Sequence, residues 1–230
     1  MLKGDDLMKT RNNLFGVLLA TLLSIPFTPV FASEKVVEYE SPQQIVETIF
    51  EEYDADDKFL KMPDGGYLHG QAKIVDAYDN SIVYGEYDSE TDPNAVSIEV
   101  AKEDLINFDA NPQIETRGAG IPNKTKVLAA GASYTSSVFT ASGWRFSDYF
   151  IQAAAGTSGN LQWTTYNDSA LIGDMGDALN TLNTGSGYGR TLYPGVPYTV
   201  GTKMNGWYQS MVYFTYNPTG RPYYHVKNLV

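Results

Sequence analysis

PYTVGTKMNGWYQSMVYFTY, residues 197–216, holds two runs of β-forming residues joined by Asn205-Gly206. Both central residues of a tight hairpin turn adopt positive φ, and asparagine followed by glycine tolerates this well. The stretch therefore predicts a β-hairpin in which Met204 and Trp207 flank the turn.

The same alternation of short β-forming runs and turn residues extends through the second half of the chain. The runs cover residues 125–129, 133–140, 146–153, 161–166, 197–203, 207–216 and 222–226. Short strands at such regular spacing are typical of an antiparallel β-sandwich or a barrel-like domain. We expect this aromatic-rich all-β domain over 117–230, with one short helix over 174–182. The predicted fold class is therefore mainly β.

Charge divides the chain at the start of this domain. Residues 33–116 carry 21 Asp and Glu against 5 Lys and Arg, whereas residues 117–230 carry 4 against 8. All three tryptophans also lie in the second range. This asymmetry predicts two parts with different roles. We expect 33–116 to form a small acidic α+β region, and one interpretation makes it a pro-segment that is processed at Arg117.

The acidic range begins with a helix signal. Ser41 is a capping residue, a proline follows it, and apolar side chains then recur at helical spacing. We expect this helix to end near Tyr53. Beyond it, alternating runs predict a hairpin of strands over 71–78 and 81–87, and a third strand over 96–100.

Residues 1–32 have the pattern of a secretory signal peptide. Lys9 and Arg11 precede an apolar run that is shorter than the roughly 20 residues a membrane span requires. Small or tolerated residues then lead up to Ala32, so we expect processing between Ala32 and Ser33. The mature chain would be secreted, and either extracellular or associated with the cell wall.

The sequence contains no cysteine. This excludes disulfide bonds, thiolate catalysis and cysteine metal sites. An exported chain of this size without disulfides must be stabilised by its apolar core. The combination favours a bacterial protein exported across a single membrane.

Catalytic signatures are weak. The aromatic range, residues 117–230, contains one histidine, His225, and no Gly-x-Ser-x-Gly motif, so a serine hydrolase has little support. We expect His225 to be a hydrogen-bonded histidine on the surface or on an edge strand. Asp148 and Asp168 flank aromatic strands and are the candidates for a hydrolase that uses two carboxylates. We predict no catalytic residues.

The acidic residues do not match a known cation site. Counted from Asp54, the glycine that an EF-hand loop needs at its sixth position is replaced by Phe59. A solvated acidic loop is therefore the interpretation of this segment. We predict no metal site and no cofactor.

Aromatic pairs are the strongest binding signal. Trp207-Tyr208 and Tyr223-Tyr224 each place two aromatic neighbours on a predicted strand, where successive side chains point to opposite faces. One member of each pair would then face outward and offer a flat surface to a ligand. The competing interpretation places these residues in the core or on the sheet, because strands favour aromatic residues.

These observations predict a secreted bacterial binding protein that is not an enzyme and acts outside the cell. Its expected partner is a cell-wall polysaccharide, another glycan or a surface protein. The alternative is a secreted toxin or bacteriocin-like effector with an acidic pro-region, which would act on a membrane; an extracellular hydrolase is the third interpretation. A mature charge of about −12 argues against nucleic acid as a partner.

Overall fold

The computed structural model describes residues 41–110 and 118–230. Their helices are α1 (Pro42–Phe50), α2 (Ile98–Ala110) and α3 (Met175–Thr184). The strands before residue 111 are β1 (Lys58–Lys61), β2 (Tyr67–His69), β3 (Gln71–Asp76), β4 (Val83–Asp88) and β5 (Val96–Ser97). Those after residue 117 are β6 (Lys124–Leu128), β7 (Ser133–Thr135), β8 (Trp144–Phe146), β9 (Phe150–Ala153), β10 (Asn160–Tyr166), β11 (Ala170–Gly173), β12 (Arg190–Leu192), β13 (Tyr198–Gly201), β14 (Lys203–Met204), β15 (Trp207–Tyr208), β16 (Val212–Tyr216) and β17 (Tyr223–Asn228).

The strands form three larger sheets and one small hairpin. The largest sheet has the order β13-β10-β17-β7-β2-β1-β5, and the other two are β4-β3-β6-β9 and β12-β11-β16-β8. Among the paired strands, β6 and β9 run parallel and the other pairs are antiparallel. One apolar core receives side chains from all three larger sheets, for example Leu68, Ile74 and Tyr213. The predicted mainly β, sandwich-like fold is confirmed.

The acidic and aromatic ranges contribute neighbouring strands to the same sheets. In the largest sheet, β7 pairs with β2 on one side and with β17 on the other. In the second sheet, β3 pairs with β6 along its whole length. The described residues, 41–110 and 118–230, accordingly belong to one compact unit. The boundary at 116/117 as a processing site stays a prediction.

Helices α1 and α2 cover the second face of the largest sheet. Ile45, Ile49 and Leu105 pack with Tyr223 in an apolar cluster that is separate from the central core. Tyr224, the next residue of β17, points the other way, into the central core. Because successive strand residues alternate between faces, a strand covered on both sides buries both of its aromatic neighbours.

Local sequence explains two of the helices. The Ser41 hydroxyl accepts a hydrogen bond from the amide of Gln44, and α1 ends at Phe50, three residues before the predicted end. Asp174 caps α3 in a reciprocal capping box with Asp177, and Gly185 ends that helix at φ +70°. A glycine at this position adopts the left-handed conformation without the steric penalty of a side chain.

The third strand predicted over 96–100 is present only as β5 over its first two residues; residues 98–100 belong instead to α2, which begins at Ile98. The buried residues Ile98, Ala101 and Leu105 recur at spacings of three and four, which is the helical period. Over the five residues 96–100 alone, the apolar and polar side chains also alternate as they do in a strand. The helical period is distinct only over the longer segment from Ile98 to Leu105.

Replacement of Leu105 by alanine tests whether the two ranges share one folded unit. Leu105 is buried, so we expect its truncation to lower the free energy of unfolding by about 2–5 kcal/mol. Val100 on the same helix is exposed, and Val100→Ala should change stability by about 0.5 kcal/mol or less. Urea unfolding is followed by tryptophan fluorescence, since all tryptophans lie beyond residue 117. An unchanged midpoint in Leu105→Ala would contradict a shared unit.

Candidate ligand-binding site

The predicted hairpin at Asn205-Gly206 is present. β14 and β15 pair with Met204 opposite Trp207 and Lys203 opposite Tyr208. Asn205 has φ +42° and Gly206 has φ +91°, so both central residues occupy positive φ. This geometry matches the twist of the flanking strands and turns the chain sharply. The turn therefore places Trp207 on the outside of the fold.

Trp207 is the largest aromatic side chain that the described residues expose. It is 54% exposed, whereas Trp163 is fully buried and Trp144 is half-buried. Indole combines a broad apolar face with one polar N–H, so an exposed tryptophan suits ligands that have both apolar and polar faces. An exposed side chain of this size is a better pointer to binding than scattered smaller apolar residues.

Two hollows have Trp207 in their lining. The larger has a volume of about 460 Å³, and its lining includes Asn80, Gln152 and Tyr208. The smaller has a volume of about 240 Å³, and its lining includes Asp174 and Gln209. Both hollows are open to solvent, and each combines apolar surface with a few polar groups. Ligand sites in proteins commonly have this composition.

Hydrogen bonds hold the polar side chains of both hollows in place. The Asn80 Nδ2 donates to Gln152 Oε1 at 3.3 Å, and the Gln152 amide donates to the carbonyl oxygen of Tyr208. In the lining of the smaller hollow, Gln209 Nε2 donates to Asp174 Oδ2 at 2.8 Å. These side chains are therefore oriented before any ligand arrives, which reduces the entropy that binding must overcome.

Tyr208 anchors the hairpin. Its hydroxyl accepts a hydrogen bond from the amide of Gly156 at 3.0 Å and donates one to the carbonyl oxygen of Thr157, also at 3.0 Å. Its ring is half-buried and packs against the central core. Tyr208 thus fixes the position of Trp207. The side chain of Tyr208 also lines the larger hollow.

The expectation that one residue of the Tyr223-Tyr224 pair faces outward is wrong. Both side chains are 0% exposed. The Tyr224 ring stacks on Tyr213, with ring centroids 4.7 Å apart, and the Tyr223 hydroxyl donates to the Leu105 carbonyl oxygen at 3.5 Å. The second face of β17 is covered by helices of the acidic range, and the composition of residues 117–230 does not reveal this cover. The structure therefore separates this pair from Trp207 and Tyr208.

Sequence reasoning missed the polar members of the site. Asn80 lies in the β3–β4 turn, Gln152 on β9 and Gln209 just after β15, so the fold brings them together from distant segments. Asp174 had a visible signal as a helix cap, and its second carboxylate oxygen supplies the bond to Gln209. Proximity of Gln209 to Trp207 in sequence was the one local hint.

His225 lies inside the largest sheet and not at an edge. It pairs with Thr164 of β10 and Thr135 of β7, and it is 8% exposed, so the edge-strand prediction is wrong. Its Nδ1 shares a hydrogen bond of 2.9 Å with the Thr135 hydroxyl, and its Nε2 lies 3.2 Å from Glu52 Oε1. The ring therefore links the sheet to the end of α1.

Glu52 is held by two partners on β17. The pKa of Glu52 is lowered from its ordinary value of 4.5 to about 2, first by the side-chain hydrogen bond with His225 and also by the hydrogen bond from Lys227 at 2.8 Å, while burial opposes both. Tyr53 beside it shares a hydrogen bond of 2.5 Å with Ser133, and burial raises the pKa of the Tyr53 hydroxyl. These contacts have a structural role, since they fasten helix α1 to the sheet.

The hydrolase candidates lie in separate connections. Asp148 lies between β8 and β9, and Asp168 lies between β10 and β11, where it accepts a hydrogen bond from the amide of Ser169 at 2.9 Å. Neither residue lines the two hollows beside Trp207.

The proposed processing residues Ala32, Ser33 and Arg117 lie outside the described residues and stay predictions.

Within residues 41–110 and 118–230, no three His, Asp or Glu side chains form a group that could hold a metal ion. In the same ranges, no helix has both the length and the apolar character needed to cross a membrane. No protein-family model matches this sequence, and no curated protein or solved structure matches it significantly.

Replacement of Gly159 by alanine tests how the hairpin is supported. A Cβ at Gly159 would lie 2.6 Å from the Cβ of Lys203, so the hairpin must move. Gly156 is the matched control, because it has a similar positive φ in the same loop and no heavy atom within 4 Å of its added Cβ. Each substitution incurs about 1–2 kcal/mol of backbone strain. We expect Gly159→Ala to destabilise the protein more than Gly156→Ala does and to change the near-ultraviolet circular dichroism. Equal destabilisation by the two substitutions would contradict the close approach of Gly159 to Lys203.

Glu52→Gln tests the attachment of α1 through its pH dependence. Because folding lowers the pKa of Glu52, its contribution to stability is present above about pH 4.5 and is lost as the pH falls toward about 2. The melting temperature of the wild type should therefore exceed that of Glu52→Gln at neutral pH, and the difference should shrink in acid. Glu51→Gln, at the neighbouring exposed carboxylate, is the control. A pH-independent difference between wild type and Glu52→Gln would show that the lowered pKa is wrong.

Proposed function

We propose that this chain is a secreted bacterial protein that binds glycans outside the cell and has no catalytic role. The observation that carries the proposal is the half-exposed Trp207, which lies on a tight hairpin and lines two hollows with oriented polar side chains. The signal-peptide pattern of residues 1–32 supports export. The ligand would be a cell-wall polysaccharide or a similar sugar chain.

A sugar ring matches this surface chemically. One face of a pyranose consists largely of C–H groups, which pack on the flat apolar face of an indole. The hydroxyl groups at the ring edge both donate and accept hydrogen bonds. The amides of Asn80, Gln152 and Gln209 and the carboxylate of Asp174 provide complementary acceptors and donors in the two hollows.

The arrangement favours a chain over a single sugar. Two hollows of about 460 and 240 Å³ share Trp207 in their lining, so one sugar chain that packs on the indole could place units in both. The mature chain is strongly acidic, with a net charge of about −12, and this disfavours polyanionic polymers. We therefore infer an uncharged polysaccharide as the ligand class.

The toxin interpretation has less support. It requires the range 117–230 to act after release from the acidic range. Release would remove β2 from β7 and β3 from β6, which would leave unpaired backbone groups on two sheets. Exposed strand edges of this kind promote aggregation. Release of 117–230 would also expose the side chain of Tyr223, which is buried under the helices of the acidic range.

The test is binding of the mature protein to insoluble glycans, with Trp207→Ala as the variant. We expect the wild type to be retained on purified neutral polysaccharide of bacterial cell walls, and Trp207→Ala to lose at least about tenfold in affinity, since buried tryptophan contacts are typical energetic centres of binding. Tyr216→Ala is the control, because Tyr216 is 57% exposed and lines neither hollow.

Two results would contradict the proposal. Equal retention of wild type and Trp207→Ala would place binding elsewhere on the protein. If the wild type is not retained on neutral glycans, uncharged polysaccharides are excluded as the ligand class. Circular dichroism of each variant verifies that the fold is intact, so that a loss of affinity reports on the surface itself.

A further inference from the structure

A lysine and an aspartate meet in the interior of the protein. The side chain of Lys126, on β6, is 0% exposed, and the side chain of Asp64, in the turn between β1 and β2, is 2% exposed. The lysine Nζ lies 3.2 Å from Asp64 Oδ2 and 3.5 Å from Oδ1. The nitrogen therefore faces both oxygens and the carboxyl carbon between them.

Aromatic side chains enclose this pair. Lys126 Nζ lies 3.1 Å from the ring centroid of Tyr134 and 4.8 Å from that of Tyr149. The Tyr134 hydroxyl donates a hydrogen bond to Asp64 Oδ2 at 2.6 Å. This enclosure keeps the amine against the carboxyl group.

Such surroundings favour reaction between the two groups. Moving two charges out of water is costly, and a proton transfer from the ammonium to the carboxylate replaces the ion pair by a neutral amine and a neutral acid. A neutral, desolvated lysine is a nucleophile. The hydrogen bond from Tyr134 draws electron density away from the carboxyl carbon. The distances of 3.2 and 3.5 Å from Nζ to the two carboxyl oxygens also keep the nitrogen near the carbon that joins them, and groups held so close react as if each were present at very high concentration.

We propose that Lys126 and Asp64 condense into an intramolecular amide bond. The lone pair of Nζ forms a bond to the Asp64 carboxyl carbon, and the bond from that carbon to one oxygen breaks. The leaving hydroxyl takes one proton from the amine, so one water molecule is released and a neutral amide remains. The step requires no oxidant, reductant or co-reactant.

The cross-link would join the two charge ranges of the chain. Asp64 lies in the acidic range and Lys126 in the aromatic range, so the bond spans the predicted processing site at Arg117. A chain cut between these two residues would remain one covalent molecule. This property is independent of the proposed glycan binding.

A competing reaction loses the same mass. Asp64 precedes Gly65, and an aspartate before glycine can cyclise when the glycine nitrogen attacks the side-chain carboxyl. In this structure the Gly65 amide donates a hydrogen bond to the Met62 carbonyl oxygen at 2.9 Å, so its nitrogen is engaged in the turn. The experiment must still separate the two products.

The test is mass spectrometry of the purified mature protein. We expect the intact mass of the major species to be lower than the sequence mass by one water molecule. Complete tryptic digestion should then yield one linked pair, in which the peptide 62–73 is joined to the peptide 125–145 through Asp64 and Lys126. Modification of Lys126 also prevents tryptic cleavage after it.

The variants Lys126→Met and Asp64→Ala should show the full sequence mass. Lys124→Met is the matched control on the same strand, because Lys124 lies over the ring of Tyr84 and not in the enclosure, and it should keep the loss of water. A full mass in the wild type would overturn the proposal, and so would a loss of water that maps to an Asp64-Gly65 ring in an unlinked peptide. The result depends on the wild-type peptide map, so it does not require the variants to fold.

Discussion

The pairing of β7 with strands from both charge ranges is the constraint on which the architecture depends. Its residues Ser133, Tyr134 and Thr135 lie opposite β2 on one side and β17 on the other. A central strand needs a partner on each side, because buried backbone N–H and C=O groups without hydrogen bonds are strongly unfavourable. The aromatic range therefore completes its largest sheet only with strands from the acidic range.

This arrangement also decides which aromatic side chains remain at the surface. The central core and the helix cluster bury residues on both faces of β17, whereas the hairpin β14–β15 stands apart as a two-stranded unit. The anchoring of Tyr208 then leaves Trp207 exposed beside polar groups from β9 and from the start of α3. The proposed binding surface thus lies at the short hairpin, which is a sheet separate from the three larger ones.

Local features were predictable and non-local ones were not. The hairpin at Asn205-Gly206 and the cap at Ser41 follow from conformational preferences of single residues, so the sequence reveals them directly. The burial of Tyr223 depends on helices more than a hundred residues earlier. The pair of Lys126 and Asp64 likewise comes together only through the packing of β6 against the turn after β1. The sequence predicted that one member of the Trp207-Tyr208 pair faces outward but not which one, and the polar neighbours of Trp207 come from segments that only the fold assembles.

Residues 33–116 and 117–230 are both needed for one cooperative fold, since their strands pair in the same sheets. The most direct test is expression of residues 117–230 alone, with near-ultraviolet circular dichroism and urea unfolding compared with those of residues 33–230. We expect the isolated range to lack both the native aromatic signal and a cooperative transition, because β7 and β6 each lose a partner strand. A native-like spectrum with a cooperative transition would contradict it, and would restore the acidic range to the role of a separable pro-segment.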